Sequence, residues 1–326
     1  MNDRRSGHAC DPPAPGSISV CIPVYNCAHL LERAIRSVEA QTLPAREVIA
    51  VDDGSTDEAP QVLERLVAEG RVTAAIRQSN AGVTSARNTA IWRARGEWIV
   101  PLDGDDELDP LALERSLAAV ERTPGAGWCI TDIVRVDAEG EQIFASTPPE
   151  GPASDWLHAM LERNFVERTI LLKREMMLRL GGYDPAFRCY EEWELGIRML
   201  RSGVIAAYAP GPLYRYIKTP GSITSDLTRL LNAHEQLFRR HHRPLADTGN
   251  PLYRRIYARR MWALGRDHLD RGHDPRAALR CLFASLRYDF VPAKILQGAS
   301  QRVFRSLRGR GSPPPKRDDD VPSSTA

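Results

Sequence analysis

Between Ser17 and Asp103, short runs of β-branched residues alternate with amphipathic stretches, and few folds satisfy that pattern. The spacing predicts strands at Ile18–Val24, Glu47–Asp52, Val72–Arg77 and Trp98–Asp103, with helices at Ala28–Gln41, Thr56–Glu69 and Gly82–Arg95 between them. Strands that read as continuous apolar runs, each reached through a helix, belong to a sheet covered on both faces. The expected fold is therefore α/β, with a Rossmann-like, mostly parallel central sheet flanked by helices.

The pattern continues more loosely. A helix is expected at Pro110–Arg122, a strand at Trp128–Val136 turning at Asp137–Gly140, a helix at Asp155–Arg163 and a strand at Thr169–Leu172. A helix at Glu191–Arg201 and strands near Ile205 and Tyr214 follow. Beyond Ser225 the strand signals stop, and 226–242, 251–271, 275–288 and 292–308 read as helices broken at Pro and Gly. The organisation expected is a flexible N-terminus (1–16), a working domain (17–225), a helical extension (226–308) and a disordered Pro/Ser/Asp tail (309–326).

Composition narrows the class. No stretch approaches the ~18 apolar residues of a membrane span. The first residues lack the apolar core of a secretory signal. The six cysteines (10, 21, 27, 129, 189, 281) show no metal-like spacing, which fits reduced, buried thiols. A cytoplasmic protein is expected. The net charge of +2 hides an asymmetry: residues 1–228 hold 24 Lys/Arg against 33 Asp/Glu, whereas 229–310 hold 18 against 6. So basic a segment is either a solvated helical face or a surface for anions. With no nucleic-acid recognition motif, peripheral contact with the inner membrane face through 229–308 is the partner it suggests.

In an open α/β sheet, ligands bind beyond the carboxyl ends of the strands. There the sequence places Pro23-Val-Tyr25-Asn26, Asp52-Asp53-Gly-Ser-Thr-Asp57 and Asp103-Gly-Asp105-Asp106. Three carboxylates within four residues repel one another unless a cation sits among them. Hard divalent ions such as Mg²⁺ or Mn²⁺ suit such ligands together with a phosphate. A plainer origin for part of the second cluster is helix capping. Asp52 could accept from a base N–H, and Tyr25 offers a ring for stacking.

Taken together, Val20–Asn26, Val51–Asp57, Asn80–Asn88, Leu102–Asp106 and Gly181-Gly-Tyr-Asp184 followed by Glu191-Glu192-Trp-Glu-Leu195 strongly resemble glycosyltransferase family 2, over about Ser17 to Thr224. The resemblance implies the GT-A fold and a metal-dependent, inverting transfer of a sugar from a nucleoside-diphosphate-sugar (UDP-sugars favoured) to a hydroxyl acceptor. It further implies that Pro23, Tyr25 and Asp52 line the base pocket and that Arg87 lies near the nucleotide. Asp103 and Asp105 would serve ribose, diphosphate and a divalent metal (Mn²⁺ or Mg²⁺), with Asp106 an alternative ligand. Glu192 would be the general base, with Glu191 the runner-up.

Two departures stand out. The family's second acidic residue is usually Asp, not Glu192. Where relatives often carry a His ligand, this chain reads Tyr214-Arg215-Tyr216-Ile217-Lys218, leaving Arg215 or Lys218 to meet the diphosphate. The Gln-x-x-Arg-Trp motif and membrane helices of processive synthases are missing. Transfer of one or a few sugars to a glycan, lipid-linked or protein acceptor in envelope or surface glycan assembly is expected. The competing reading is a catalytically inactive nucleotide-sugar-binding module of the same fold. A haloacid-dehalogenase-type phosphatase fits poorly, because Val51–Gly54 lacks the required Asp-x-Asp-Gly and follows the second strand.

Overall fold

The computed structural model describes residues 13–137, 140–146, 148–149, 153–166, 168–218 and 226–288. The chain divides into two compact units, Met1–Leu237 and Phe238–Ala326.

The first unit opens with β1 (Ile18–Val24), α1 (Ala28–Glu39), β2 (Glu47–Asp52), α2 (Ala59–Ala68), β3 (Ala74–Arg77), α3 (Val83–Arg93) and β4 (Trp98–Pro101). β1 is buried along its whole length because helices cover both faces of the sheet at this strand. α1 buries Leu31, Ala34, Ile35 and Val38, the i, i+3, i+4, i+7 stripe of an amphipathic helix. β3, β2, β1 and β4 lie side by side in that order, and all three pairings are parallel. The expected parallel sheet is thus present in this half.

Past β4 come β5 (Glu107–Leu108), α4 (Ala112–Arg122), β6 (Ala126–Asp137), β7 (Gly140–Phe144), α5 (Ala153–Glu162), β8 (Arg168–Lys173), α6 (Arg174–Leu180), α7 (Glu191–Arg201), β9 (Ile205–Ile217) and α8 (Leu227–Leu237). Here the sheet is mixed: β8 runs antiparallel to β4 and β6, β5 antiparallel to β9, and only β6 and β9 pair in parallel. The antiparallel β8 matters for the site, because its first residue, Arg168, lies at the edge where the parallel strands end. The two strands expected near Ile205 and Tyr214 are one strand, β9, whose register against β6 shifts around Thr131–Ile133. β5, β7 and α6 are too short to leave a periodic signal.

The second unit holds a π-helical turn (Phe238–His242), α9 (Arg243–Asp247), α10 (Pro251–Asp270) and α11 (Pro275–Tyr288). Asn250 caps α10 by accepting from the Leu252 N–H at 2.9 Å, and Asp274 caps α11 by accepting from the Arg276 and Ala277 N–H groups at 3.0 Å. α10 and α11 pack closely at Gly265, where a Cβ would stand 3.1 Å from Leu282 Cγ and 3.2 Å from the Ala278 oxygen. α8 falls within the first unit. The helix expected at 292–308 and the tail at 309–326 lie outside the described residues. So does most of the N-terminal stretch 1–16. No helix among the described residues is long and apolar enough to cross a membrane. Cys21, Cys27, Cys129, Cys189 and Cys281 are all buried.

Candidate active site

The carboxyl ends of β1, β2 and β4 meet at one edge of the sheet. Asn26 adopts φ +51°, and its side-chain oxygen accepts from the Thr56 N–H at 2.8 Å, tying the end of β1 to the end of β2. Asp57 accepts from the Ala28 N–H at 2.9 Å and the Ala59 N–H at 3.0 Å, so one carboxylate serves the starts of two helices. Asp53 accepts from the Gln78 side chain and from the N–H groups of Ala81 and Gly82, which fixes the loop into α3. These two aspartates are structural: Asp57 caps helices, as its residue type suggests, and Asp53 holds a loop.

Asp52 differs. One oxygen accepts from the Ser55 N–H at 2.8 Å, while Oδ2 is buried and accepts no hydrogen bond among the described residues, its ion-pair partner Arg77 Nε standing 3.3 Å away. A buried acceptor without a donor is one a ligand N–H can satisfy. Tyr25, half exposed at 51%, stands one residue beyond β1. Pro23 is buried on β1, and its carbonyl oxygen accepts from the Gly104 N–H at 3.3 Å. A Cβ on Gly104 would lie 3.0 Å from Cys27 Sγ and 3.1 Å from that same oxygen, so glycine lets the Asp103–Asp106 turn sit close against β1.

Around that turn, four carboxylates surround two buried guanidinium groups. Arg87, on α3, donates to Asp103 Oδ1 at 2.6 Å and to Glu191 Oε1 at 2.9 Å. Arg168 Nη2 donates to Asp103 Oδ2 at 2.9 Å and Asp106 Oδ2 at 3.0 Å, and lies 2.7 Å from the Tyr214 hydroxyl. Its Nη1 is 3.8 Å from Glu192, and its guanidinium lies over the Tyr214 ring at 4.2 Å. Burial opposes charge on Asp103, yet Arg87 and Arg168 outweigh it and hold this carboxyl well below the usual range.

The three aspartates are not equivalent. Asp106 is 1% exposed; Oδ2 accepts from Tyr214 at 2.7 Å as well as from Arg168, and Oδ1 accepts from the Ile217 N–H at 2.8 Å. Burial pushes it up to about 7 against the pull of Arg168. Its oxygens are therefore spoken for, which makes it the least suited of the three to hold a metal. Asp103, with its side chain 21% exposed, reaches the surface of the cluster. Asp105 forms no ion pair among the described residues, and its carboxyl is raised by burial and then by the negative charge of Asp103.

Glu191 and Glu192 open α7, where the helix dipole favours their charge. Tyr190, just before them, sits at φ +60° and stacks on His234 at 4.1 Å. Glu192 Oε1 accepts from the Tyr183 hydroxyl at 3.2 Å, while Oε2 is buried and the Thr169 side chain stands near enough to favour the charged form. Burial raises the Glu192 carboxyl despite the lowering influence of Arg87 and Arg168. Tyr183 is itself clamped: Asn88 exchanges two 2.8 Å hydrogen bonds with its backbone, and Arg198, paired with Glu194, donates to the Leu180 and Gly182 carbonyls. Gly182 has φ +74°, and a Cβ there would stand 2.3 Å from Asn88 Oδ1.

The structure thus brings Arg87, Asp103, Asp106, Glu191 and Glu192 into one hydrogen-bonded cluster, with Asp105 at its edge. Asp52, Tyr25 and Pro23 line the neighbouring strand ends. Arg215 is paired with Glu141 at 2.7 Å and Glu107 at 3.6 Å. It is committed elsewhere, and Lys218 is exposed. Sequence reasoning missed Arg168 and Tyr214. The available signal was a lone Arg opening the apolar run Thr169–Leu172, which gains meaning only when β8 runs antiparallel.

A metal is tested by charge. With Asp106 raised to about 7 and left out of the count, Asp103, Asp105, Glu191 and Glu192 still carry four formal negative charges against the two of Arg87 and Arg168. The excess is anionic, and Asp105, raised by burial and then by Asp103, forms no ion pair among the described residues. A divalent cation with oxygen ligands fits that donor set.

Residues 19–177 match the model of the family "Glycosyl transferase family 2". The chain is 31% identical over 233 residues to the succinoglycan biosynthesis protein ExoO of Rhizobium meliloti, spanning 67% of this chain and 66% of that one. It is 30% identical to a PGL/p-HBAD biosynthesis glycosyltransferase of Mycobacterium bovis, spanning 55% of this chain and 68% of the relative. To a chondroitin synthase of Escherichia coli it is 36% identical over 126 residues, which make up only 18% of that longer protein. Among solved structures, S. aureus TarS 1-349 in complex with UDP-GlcNAc superposes with a TM-score of 0.59 at 16% identity, covering 85% of this chain and 95% of the other. The mannosyltransferase PcManGT from Pyrobaculum calidifontis in complex with GDP-Man and Mn²⁺ gives 0.53 at 19% identity, covering 93% and 90%.

Proposed function

This chain belongs to glycosyltransferase family 2, and from that premise we propose that it transfers a sugar, with inversion, from a nucleoside-diphosphate-sugar to a hydroxyl acceptor. The observation that carries the reading is Glu192: a buried carboxylate with one oxygen held by Tyr183, raised by burial, beside the aspartate turn. That is the state suited to receiving a proton near neutral pH.

In this reading the nucleobase lies at Pro23 and Tyr25, with its N–H on the donorless oxygen of Asp52. Arg87 and Asp103 bound the ribose and diphosphate. Asp103 and Asp105 would hold a divalent metal, Mn²⁺ or Mg²⁺, which when bound offsets the charge of the departing diphosphate. The acceptor hydroxyl oxygen forms its bond to the anomeric carbon as the bond to the diphosphate oxygen breaks. Its proton passes to Glu192. Arg168 bridges Asp103 and Asp106, offsetting their mutual repulsion, and draws Glu192 toward its ionised form.

Structural neighbours solved with UDP-GlcNAc and with GDP-Man and Mn²⁺ support a nucleotide-sugar and a divalent ion, but differ in nucleotide. UDP-sugars are the first donors to try. The relatives named for succinoglycan and PGL/p-HBAD biosynthesis support an acceptor in surface or envelope glycan assembly. The basic segment 229–308 is suited to lie on an anionic membrane near such an acceptor.

Titration calorimetry of UDP-, GDP- and dTDP-sugars, with and without Mn²⁺, tests the site. One donor should bind more tightly with metal; Asp105→Asn should abolish that metal dependence, and Asp52→Asn should weaken nucleotide binding with or without metal. No binding of any nucleotide-sugar would refute the proposal.

A further inference from the structure

α11 carries an apolar stripe exposed along one face. Leu279, Phe283 and Leu286 are 45%, 68% and 42% exposed, and they follow one another at i, i+4 and i+7, the spacing of a single helix face. The other exposed large apolar residues among those described stand on six different segments. Scattered singly they are ordinary surface; three on one short helix are not. The opposite face, with Ala277, Ala278, Cys281, Ser285 and Tyr288, is buried. At ~100° per residue, exposed Arg276, Arg280 and Arg287 fall immediately beside the stripe. The outward surface is thus half leucine and phenylalanine, half guanidinium.

Charge selects the partner. Among the described residues of the second unit, 238–288, there are 12 arginines against four aspartates, and neither lysine nor glutamate. A helix with one apolar stripe, flanking cations and packed support behind it has the make-up of a surface that beds into the boundary between headgroups and acyl chains. A cationic protein partner would demand the opposite charge, and a second copy of this unit would repel the first.

We infer that the Leu279–Phe283–Leu286 face of α11, with Arg276, Arg280 and Arg287, docks on an anionic lipid surface. This specifies which element of the basic segment meets the membrane. It rests on the surface of α11 and stands or falls apart from the transfer chemistry.

The test is co-sedimentation of the full chain with phosphatidylglycerol/phosphatidylcholine vesicles and with pure phosphatidylcholine vesicles, at low and high salt. The wild type should be retained on the anionic vesicles at low salt only. F283S should weaken that partition about tenfold or more, and R280Q or R287Q about fivefold each. F283S should keep the wild-type helical content and melting temperature, because its side chain is exposed, and the two arginine variants should keep the wild-type helical content. Three results would each overturn the inference. Retention could be indifferent to F283S. F283S could relieve a concentration-dependent self-association without affecting lipid binding, which would make the face an interface between copies. Or F283S could lower the melting temperature and leave vesicle binding intact, which would mean that residues 289–308 cover the stripe. A protein that releases nucleotide yet ignores vesicles would sink the docking alone.

Discussion

Replacing Arg168 with Met removes the cation shared by Asp103, Asp106 and Glu192. At the observed 3.8 Å, and with an effective dielectric of ~20, the guanidinium favours the charged form of Glu192 by about 4 kcal/mol. Water entering the vacated space would recover part of that, and the Glu192 carboxyl would be left higher than in the wild type. The base must be ionised to accept a proton. The acid limb of the rate–pH profile should therefore move to higher pH in R168M, and activity should partly return on the alkaline side. Folding stability should also fall by about 3 kcal/mol, at the lower end for a broken buried pair, because Asp106 can take up a proton in place of its lost partner. Arg168→Lys separates the two effects. It keeps the charge, so the limb stays near its wild-type position, yet it cannot span Asp103, Asp106 and Tyr214, so the melting temperature still drops. Initial rates of nucleotide release across pH, beside thermal melts of both variants, provide the measurements. If R168M lost the same factor of activity at every pH, the electrostatic role assigned to Arg168 would be refuted.

Gly182→Ala should destabilise the protein by about 1–3 kcal/mol, since the new Cβ would meet Asn88 Oδ1 in a left-handed backbone; a thermal melt within error of wild type would contradict this. Asp106 has a native pKa raised to about 7, above its value in the unfolded chain. Its contribution to stability is thus fully present below ~4 and is lost as pH rises toward 7; Asp106→Asn should flatten that part of a denaturation-versus-pH curve. Asp103 has the opposite sign: held low by two arginines, it stabilises above ~4 and loses that contribution as pH falls. Asp105→Asn, which breaks no ion pair, should leave the melting temperature nearly unchanged while removing metal-dependent nucleotide binding; a large drop in melting temperature would show that Asp105 is a structural residue.

The half of the sheet built from β1 to β4 was legible because parallel strands buried on both faces write themselves as apolar runs, and because the carboxyl ends of such strands are where a ligand's polar contacts gather. The mixed half was less so. β5 has two residues, and β9 is bent by its bulged register near Pro210 and Gly211, which read as a break between two strands. Within the site, the motifs supplied the acidic residues but not how their charge is balanced. Asp52 and Asp53 are neighbours in sequence, yet one keeps a donorless oxygen and the other gives every oxygen to a loop; only the fold of Gln78–Gly82 tells them apart. Arg168 was invisible for a similar reason, because its proximity to Asp103 depends on β8 running antiparallel to β4.

The central claim is that Glu192 removes the acceptor proton at a site that binds a nucleotide-sugar. It is tested most directly by nucleotide release from a donor panel, with Mn²⁺ or Mg²⁺ and with EDTA, on wild type and Glu192→Gln. Metal-dependent release from one donor, reduced ~10²–10⁴-fold in the variant while calorimetry shows the donor still bound, is the predicted result. Equal release from wild type and Glu192→Gln would contradict it, and donor binding with no release from either protein, with every acceptor tried, would instead identify an inactive binding module.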